Sequence, residues 1–381
     1  MAMFSEVNVK PVINAAGNIS ELGGSILRAE ARKAMQQVPP VYVDILELQR
    51  QLGDSIASLV GVQAAYITSG ACAGLAISVA ACMTAINRSA IEGLPDTAGL
   101  RSEVVVHRCQ RNDWQQAVRI TGARLVEFGT EHGASTSQMA ETLCERTAAA
   151  LYFPDHHEPS SIPLADFIRL AHEHDVPVIV DAAAELPPIE NLHYYTDLGA
   201  DLVLFSGGKM LRGPAGTGLV LGRRDLVEAC LENGSPNMGI GRSMKVGKEE
   251  MVGLAAAVRA FVKTDMEAEK RLWEQRLESC VTLLADTPNI STRRVCPAKD
   301  NALPRIVPKL EISFQPQGGC TADEVARLLR EGDPSIAVGV WQGTLLINAS
   351  TLCDGDEAVL ARRLTEACIN GARMPSRATA D

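Results

Sequence analysis

The sequence predicts an α/β protein: a mainly parallel, seven-stranded sheet covered by helices, followed by a smaller C-terminal α+β domain. Three observations predict it. Short apolar runs alternate with amphipathic stretches between residues 64 and 222, as strands returned by helices do. The runs are nearly continuous in Val, Ile, Leu and Ala, which suits strands covered on both faces. Near Gly247 the alternation stops, and long helical periodicity followed by separate strands takes over.

Taken in order, residues 1 to about 40 are rich in Gly, Pro and Asn and read as an extended arm or irregular cap. Residues 41–60 have near-helical apolar spacing. AAYIT (64–68) is a strand, and 71–86 a buried helix. Strands follow at 103–107, 124–128, 149–153, 176–181, 201–206 and 218–222, with helices near 113–121, 136–146 and 163–174. Residues 247–287 predict one long helix or two joined ones. KLEISF, a helix at 322–331, SIAVGVW, TLLINA and a last helix after Asp354 complete an antiparallel α+β domain. The expected divisions are 1–50 for the arm and first helix, 51–250 for the large domain and 251–381 for the small one.

The chain has 381 residues, room for two or three structural units. Aromatics are only 4 %, so aliphatic side chains must do most of the packing. A net charge of −10 argues against a broad nucleic-acid or anionic-membrane surface, which depends on Lys and Arg. The ten Cys form no CxxC pair, so no zinc knuckle or dithiol motif is expected. Scattered Cys and the absence of a leader-like apolar start point to a reducing cytoplasm. No apolar run reaches membrane-spanning length.

An Asp and a Lys stand at the ends of neighbouring predicted strands. Asp181 ends VPVIVD, and Lys209 follows DLVLFSGG. Ligands of parallel sheets sit beyond the carboxyl ends of the strands, so both side chains could face one crevice. Such a pair suits pyridoxal 5′-phosphate (PLP): the amine condenses with the aldehyde and moves protons at Cα, and the carboxylate keeps the ring nitrogen protonated. Gly207 and Gly208 allow close approach of a flat ring. Ser206 could bind the phosphate. In YITSGACAGL, a strand, Ser69–Gly70 and a helix start would turn the N–H groups of Gly70, Ala71 and Cys72 toward an anion. Singly, each piece also reads as a turn residue, a loop lysine or an N-cap. Their order and spacing together point to one site.

With those residues in view, the chain resembles the SelA-like branch of fold-type-I, aminotransferase-like PLP enzymes, which holds bacterial selenocysteine synthase and the D-glucosaminate-6-phosphate ammonia lyases. The matching segments are PVINAAG (11–17), LGGS (22–25), TSGACAGL (68–75), DHH (155–157), VPVIVDAAAE (176–185), residues 197–229 around GADLVLFSGGK, and IGRSMKVGKEEMVGL (240–254). The resemblance implies that Lys209 is the Schiff-base lysine and Asp181 the pyridinium partner. It places Ser69, Gly70, Ala71 and Ser206 on the phosphate. Arg242 and Lys245 match a basic loop able to grip a carboxylate or phosphate of the substrate. His156 and His157 would stand at the sheet's carboxyl edge, where one could act as a general acid or both could be hydrogen-bonded loop residues. Metal spacing is absent there, and no metal is expected. The family often carries His where this chain has Gln110, a position expected beside the cofactor ring. Arg108, Arg111 and Asn112 remain polar candidates, Arg111 for substrate.

The reaction the resemblance implies is lyase chemistry: Cα deprotonation and β-elimination to a 2-keto acid and ammonia, on an amino acid or an amino-sugar acid or its phosphate. A racemase, an aldolase or a β-replacing transferase is the alternative, and a non-catalytic binding protein on the same fold a third. Selenocysteine synthesis on tRNA is disfavoured because PVINAAG comes almost at the start, leaving no room for an RNA-binding domain. Sites of this fold usually lie at a subunit boundary, so a homodimer or larger homo-oligomer is expected, with a small-molecule substrate and neither nucleic acid nor membrane as partner.

Overall fold

The computed structural model describes residues 6–154, 161–295, 306–316 and 319–371. The chain opens with a short strand, β1 (Val12–Ala15). Helices α1 (Ala29–Gln37) and α2 (Ile45–Val60) lead into the alternating region. This runs through β2 (Ala64–Thr68), α3 (Ala71–Thr84), α4 (Arg88–Gly93), β3 (Glu103–His107), α5 (Gln116–Arg119) and β4 (Arg124–Phe128). It continues with α6 (Thr136–Thr142), β5 (Thr147–Tyr152), α7 (Leu164–His172), β6 (Val178–Asp181), α8 (Asn191–Asp197), β7 (Leu202–Ser206) and β8 (Gly218–Gly222). Then come α9 (Arg224–Asn233) and α10 (Lys248–Val262), followed by α11 (Met266–Leu284), β9 (Ile290–Val295), β10 (Lys309–Phe314), α12 (Ala322–Glu331), β11 (Ser335–Trp341), β12 (Thr344–Asn348) and α13 (Asp356–Gly371).

Two compact units divide at Ser25 and Thr264. In the larger, the seven-stranded sheet has the order β2-β8-β7-β6-β5-β3-β4. All pairings are parallel except those of β8, which runs against both β2 and β7. The strands are apolar because both faces are covered: Val104, Val105, Val106, Ile179, Val180, Val203 and Leu204 have no exposed surface. Each such side chain contributes about 1.5–3 kcal/mol when fully buried. Helix α3 is buried from Ala73 to Ala81, which is why its sequence is apolar all round rather than striped. Helix α2 lies so close to β2 that a Cβ on Gly53 would stand 2.3 Å from the Ala65 carbonyl oxygen.

Charged knots pin the amino ends of the strands, opposite the ligand edge. Glu103 is buried and pairs with Arg124 at 2.6 Å and with Arg146. Asp201 accepts the Val178 N–H and one Arg223 N–H, each at 2.7 Å, and meets His172 at 2.8 Å. At the carboxyl ends of β3, β4 and β5, the scarce aromatics gather: His107 lies 4.4 Å from Phe128 and 5.8 Å from Phe167, ring to ring.

The smaller unit holds a five-stranded sheet, β1-β11-β12-β10-β9. The N-terminal segment is therefore not a separate arm. Val12–Ala15 pairs in parallel with Ser335–Val338, so this sheet is mixed rather than wholly antiparallel. The boundary after residue 250 also moves: α10 belongs wholly to the larger unit, and the division falls at Lys263–Thr264. Asp265 caps α11 by accepting the Ala268 N–H at 3.0 Å, so the helical region is two helices.

Candidate active site

The carboxyl edge of the large sheet assembles the expected residues. Thr68 at the end of β2 is in register with Gly218 at the start of β8, and Gly218 with Ser206 at the end of β7. Asp181 ends β6 opposite Leu204 of β7. One Asp181 oxygen accepts the Ala183 N–H at 3.1 Å. Strand, turn and helix thus bring Thr68–Gly70, Ser206 and Asp181 to one side of the sheet.

Hydrogen bonds to the backbone fix the loop that carries Lys209. The Gly207 N–H donates to the Thr217 carbonyl at 2.8 Å, and the Gly213 N–H to the Gly207 carbonyl at 2.9 Å. The Ser25 N–H donates to the Gly208 carbonyl at 2.8 Å. Arg28 closes the far side, its Nε donating to the Leu211 carbonyl at 3.0 Å. Glycine is required twice: a Cβ on Gly207 would stand 2.1 Å from Thr217 Oγ1, and one on Gly208 2.5 Å from the Ala215 Cα. Among the described residues, the Lys209 amine has no hydrogen-bond or ion-pair partner. It is held in place by its backbone and left open at its tip.

The turn before α3 is shaped for an anion. Gly70 has φ +99°, a conformation open to glycine, and its side has nothing within 4 Å. No side chain caps the helix, so its first N–H groups are available. Thr68 Oγ1 donates to the Gly70 carbonyl at 2.8 Å and keeps the turn closed. Cys72, the second residue of the helix, is exposed. Its thiol is pushed up from the ordinary range by burial first and by the Asp181 carboxylate second, with the Lys209 ammonium pulling the other way. Asp181 at the end of β6, the turn into Lys209 after β7 and the start of α3 after β2 all stand at the carboxyl edge of one sheet. An open amine, a carboxylate and uncapped helix amides are the donor set that PLP requires, and the residues present fit it.

Two expected site residues make contacts within the sheet. Gln110 has no exposed surface; its side-chain oxygen accepts the Phe153 N–H at 3.0 Å. It fixes the exit of β5. Arg111 grips Glu127 of β4 through two N–H groups, at 2.8 and 2.5 Å. Arg242 and Lys245 lie on the loop between α9 and α10, where Arg242 donates to Ser235 Oγ at 3.3 Å. Neither makes a hydrogen bond or ion pair with Lys209, Asp181 or Cys72 among the described residues. His156 and His157 lie outside the described residues. Sequence reading overlooked Ser25, Arg28 and Thr217, which brace the lysine loop. Ser25 and Thr217 gave no signal beyond membership of the Gly-rich segments LGGS and RGPAGTG, and Arg28 lies three residues past the first.

Comparison with known proteins agrees with this geometry. The sequence model of the aminotransferase class-V family matches residues 82–331. The chain is 32 % identical to D-glucosaminate-6-phosphate ammonia lyase of Salmonella typhimurium, over 96 % of this chain and 97 % of that one. It is 33 % identical to a Streptomyces 5′-C-glycyluridine monooxygenase-decarboxylase, covering 98 % and 94 %. An L-seryl-tRNA(Sec) selenium transferase of Moorella thermoacetica is 26 % identical, covering 94 % and 82 %. A solved structure of D-glucosaminate-6-phosphate ammonia-lyase superposes with a TM-score of 0.82 at 30 % identity, covering 97 % of this chain and 99 % of that one. The chain belongs to the aminotransferase class-V family and is a fold-type-I, PLP-dependent enzyme of its SelA-like lyase branch.

Proposed function

We propose that the enzyme is an ammonia lyase for an amino-sugar acid or its phosphate: the Cα proton is removed, a β-hydroxyl leaves, and the released enamine hydrolyses to a 2-keto acid and ammonia. The observation that carries this reading is the placement of Asp181 after β6, Lys209 after β7 and the uncapped start of α3 after β2 at one edge of the sheet. Likeness to the Salmonella lyase along almost the whole chain supports the reaction and the substrate class.

When bound, PLP supplies an electron-accepting ring that makes a substrate Cα–H bond acidic. Lys209 would hold the cofactor and then carry the Cα proton. Asp181 would keep a proton on the ring nitrogen. The N–H groups of Gly70, Ala71 and Cys72, with Ser69 and Ser206, would hold the phosphate. Either His156 or His157 would protonate the departing hydroxyl. Arg242 and Lys245 would receive an acidic end of the substrate. A homo-oligomer also forms part of the reading. An exposed apolar run, Val41 to Val43, supports such a contact. Among the described residues, no helix is long and apolar enough to cross a membrane. A reducing, cytoplasmic setting is also part of the proposal.

The test is turnover of D-glucosaminate 6-phosphate, its dephosphorylated form and simple β-hydroxy amino acids, with ammonia, keto acid and oxygen measured together. The reading expects equal ammonia and keto acid and no oxygen uptake. Inverted substrate without ammonia would make the enzyme a racemase. One observation favours a second reading: the Streptomyces relative, equally similar, is named a monooxygenase-decarboxylase. Oxygen consumption with loss of carbon dioxide would support that reading and refute elimination.

A further inference from the structure

We propose that the outer edge of β4 is a docking site for an extended, acidic peptide segment of another protein, which pairs with it as an added strand and sets carboxylates on its arginines. β4 closes the large sheet at the end opposite β2 and, among the described residues, pairs only with β3. The Arg124 N–H donates to the Ser102 carbonyl at 2.8 Å, toward the β3 side. Successive residues of a strand bond to alternate sides, so Leu125 and Glu127 turn their N–H and C=O groups outward. Among the described residues, neither backbone bonds an element other than β3. Leu125, Val126 and Glu127 are half-buried, so this edge is left open rather than covered.

A groove of about 660 Å³ runs along the edge, lined by residues 123–127 with Arg108 and Arg119. Ligand clefts usually span about 300–1,000 Å³, so a short strand is within its capacity. Arg119, the last residue of α5, is exposed, and its side chain has no hydrogen-bond or ion-pair partner among the described residues. Glu127 is shared by Arg108 at 3.3 Å and Arg111 at 2.5 Å, and Glu103 by Arg124 and Arg146. Each carboxylate thus meets two guanidinium groups, and Arg119 is left over. On a chain of net charge −10 this is a local surplus of positive charge. Guanidinium groups take carboxylates in paired hydrogen bonds, and edge pairing adds main-chain bonds. A second copy of β4 fits less well: it would bring the arginines of both copies together, and like charges across paired strands repel. An acidic strand meets the same edge without that repulsion.

The experiment titrates the PLP-loaded full chain into a fluorescein-labelled peptide of alternating Glu and Val, about seven residues long so that it spans the five of β4. Binding should saturate, and the same peptide with Lys for Glu should not bind. Arg119→Glu should weaken binding at least about tenfold with an unchanged thermal midpoint. Methylating alternate peptide N–H groups, which removes the donors but keeps the charge, should weaken it at least about tenfold as well. Leu125→Pro removes only an outward N–H of the edge and should abolish binding. The methylated peptide meets unaltered protein, so it decides the matter even if Leu125→Pro folds poorly. No saturation up to about 1 mM peptide would overturn the proposal. Equal affinity for the methylated peptide, or displacement by inorganic tripolyphosphate at equal charge, would overturn it in favour of a simple anion site. A sedimentation mass that falls in Arg119→Glu would overturn it in favour of a second copy of this chain.

Discussion

Asp181 and Lys209 were legible in the sequence because each ends or follows an unmistakable apolar strand, and strand ends converge in a parallel sheet. Their environment was not legible. Gln110 follows β3 as closely as Lys209 follows β7, yet its side chain turns inward to the Phe153 N–H. Spacing does not say which way a loop side chain points. The same holds for Arg111, whose partner Glu127 comes from the adjacent strand.

Predictions at this scale follow from contacts. Asp181→Asn should keep the fold and lower kcat by about 100-fold or more, since the ring-nitrogen proton loses its carboxylate. An activity within threefold of wild type would contradict that role. Gly208→Ala places a methyl against backbone at 2.5 Å and should cost about 1–3 kcal/mol of stability, measured by urea unfolding, together with most cofactor binding. Arg111→Ala breaks only a half-exposed pair, so less than about 1 kcal/mol should be lost and KM should change little. A large rise in KM would return Arg111 to the substrate.

Among the elements, the strands of the large sheet other than its edge β4 were readable because burial on both faces favours apolar residues. The two strands that went unread, β1 and β9, are the edges of the small sheet. ISTRRV has no fully buried position and carries two arginines, so it has no apolar run to announce it. β1 has four residues, too short for periodicity, and is made a strand by its partner β11.

The knot at the amino ends of β3–β5 gives a pH prediction. Burial alone would raise the Glu103 carboxyl, but Arg124 and Arg146 overcome it and hold the group below the usual carboxylate range. Its folded value is depressed, so its contribution is present above the unfolded value of about 4.3 and is lost as pH falls through the folded value. Wild type should therefore lose stability below about pH 4 more steeply than Glu103→Gln, by thermal melts across that window. Parallel curves would show that the pair contributes nothing to acid sensitivity.

At the scale of the molecule, alternation and length sufficed for fold class, and the full-length resemblance for family. Two things lay beyond them. The division of the chain puts its first strand with its last third, a pairing of distant segments that no local pattern encodes. The substrate is the other, since the proposed readers of its acidic end, Arg242 and Lys245, make no hydrogen bond or ion pair with Lys209 among the described residues. If these read a phosphate, Arg242→Ala should raise KM about tenfold or more for a phosphorylated substrate and little for its unphosphorylated form. An equal change for both would assign the arginine to another role.

The most direct measurement for the whole account is borohydride reduction of the PLP-loaded protein, followed by peptide mass analysis. The cofactor's mass should appear on the peptide containing Lys209 and vanish in Lys209→Ala. Cofactor fixed on a different lysine, such as Lys245 or Lys248, or a Lys209→Ala protein with undiminished turnover, would contradict it.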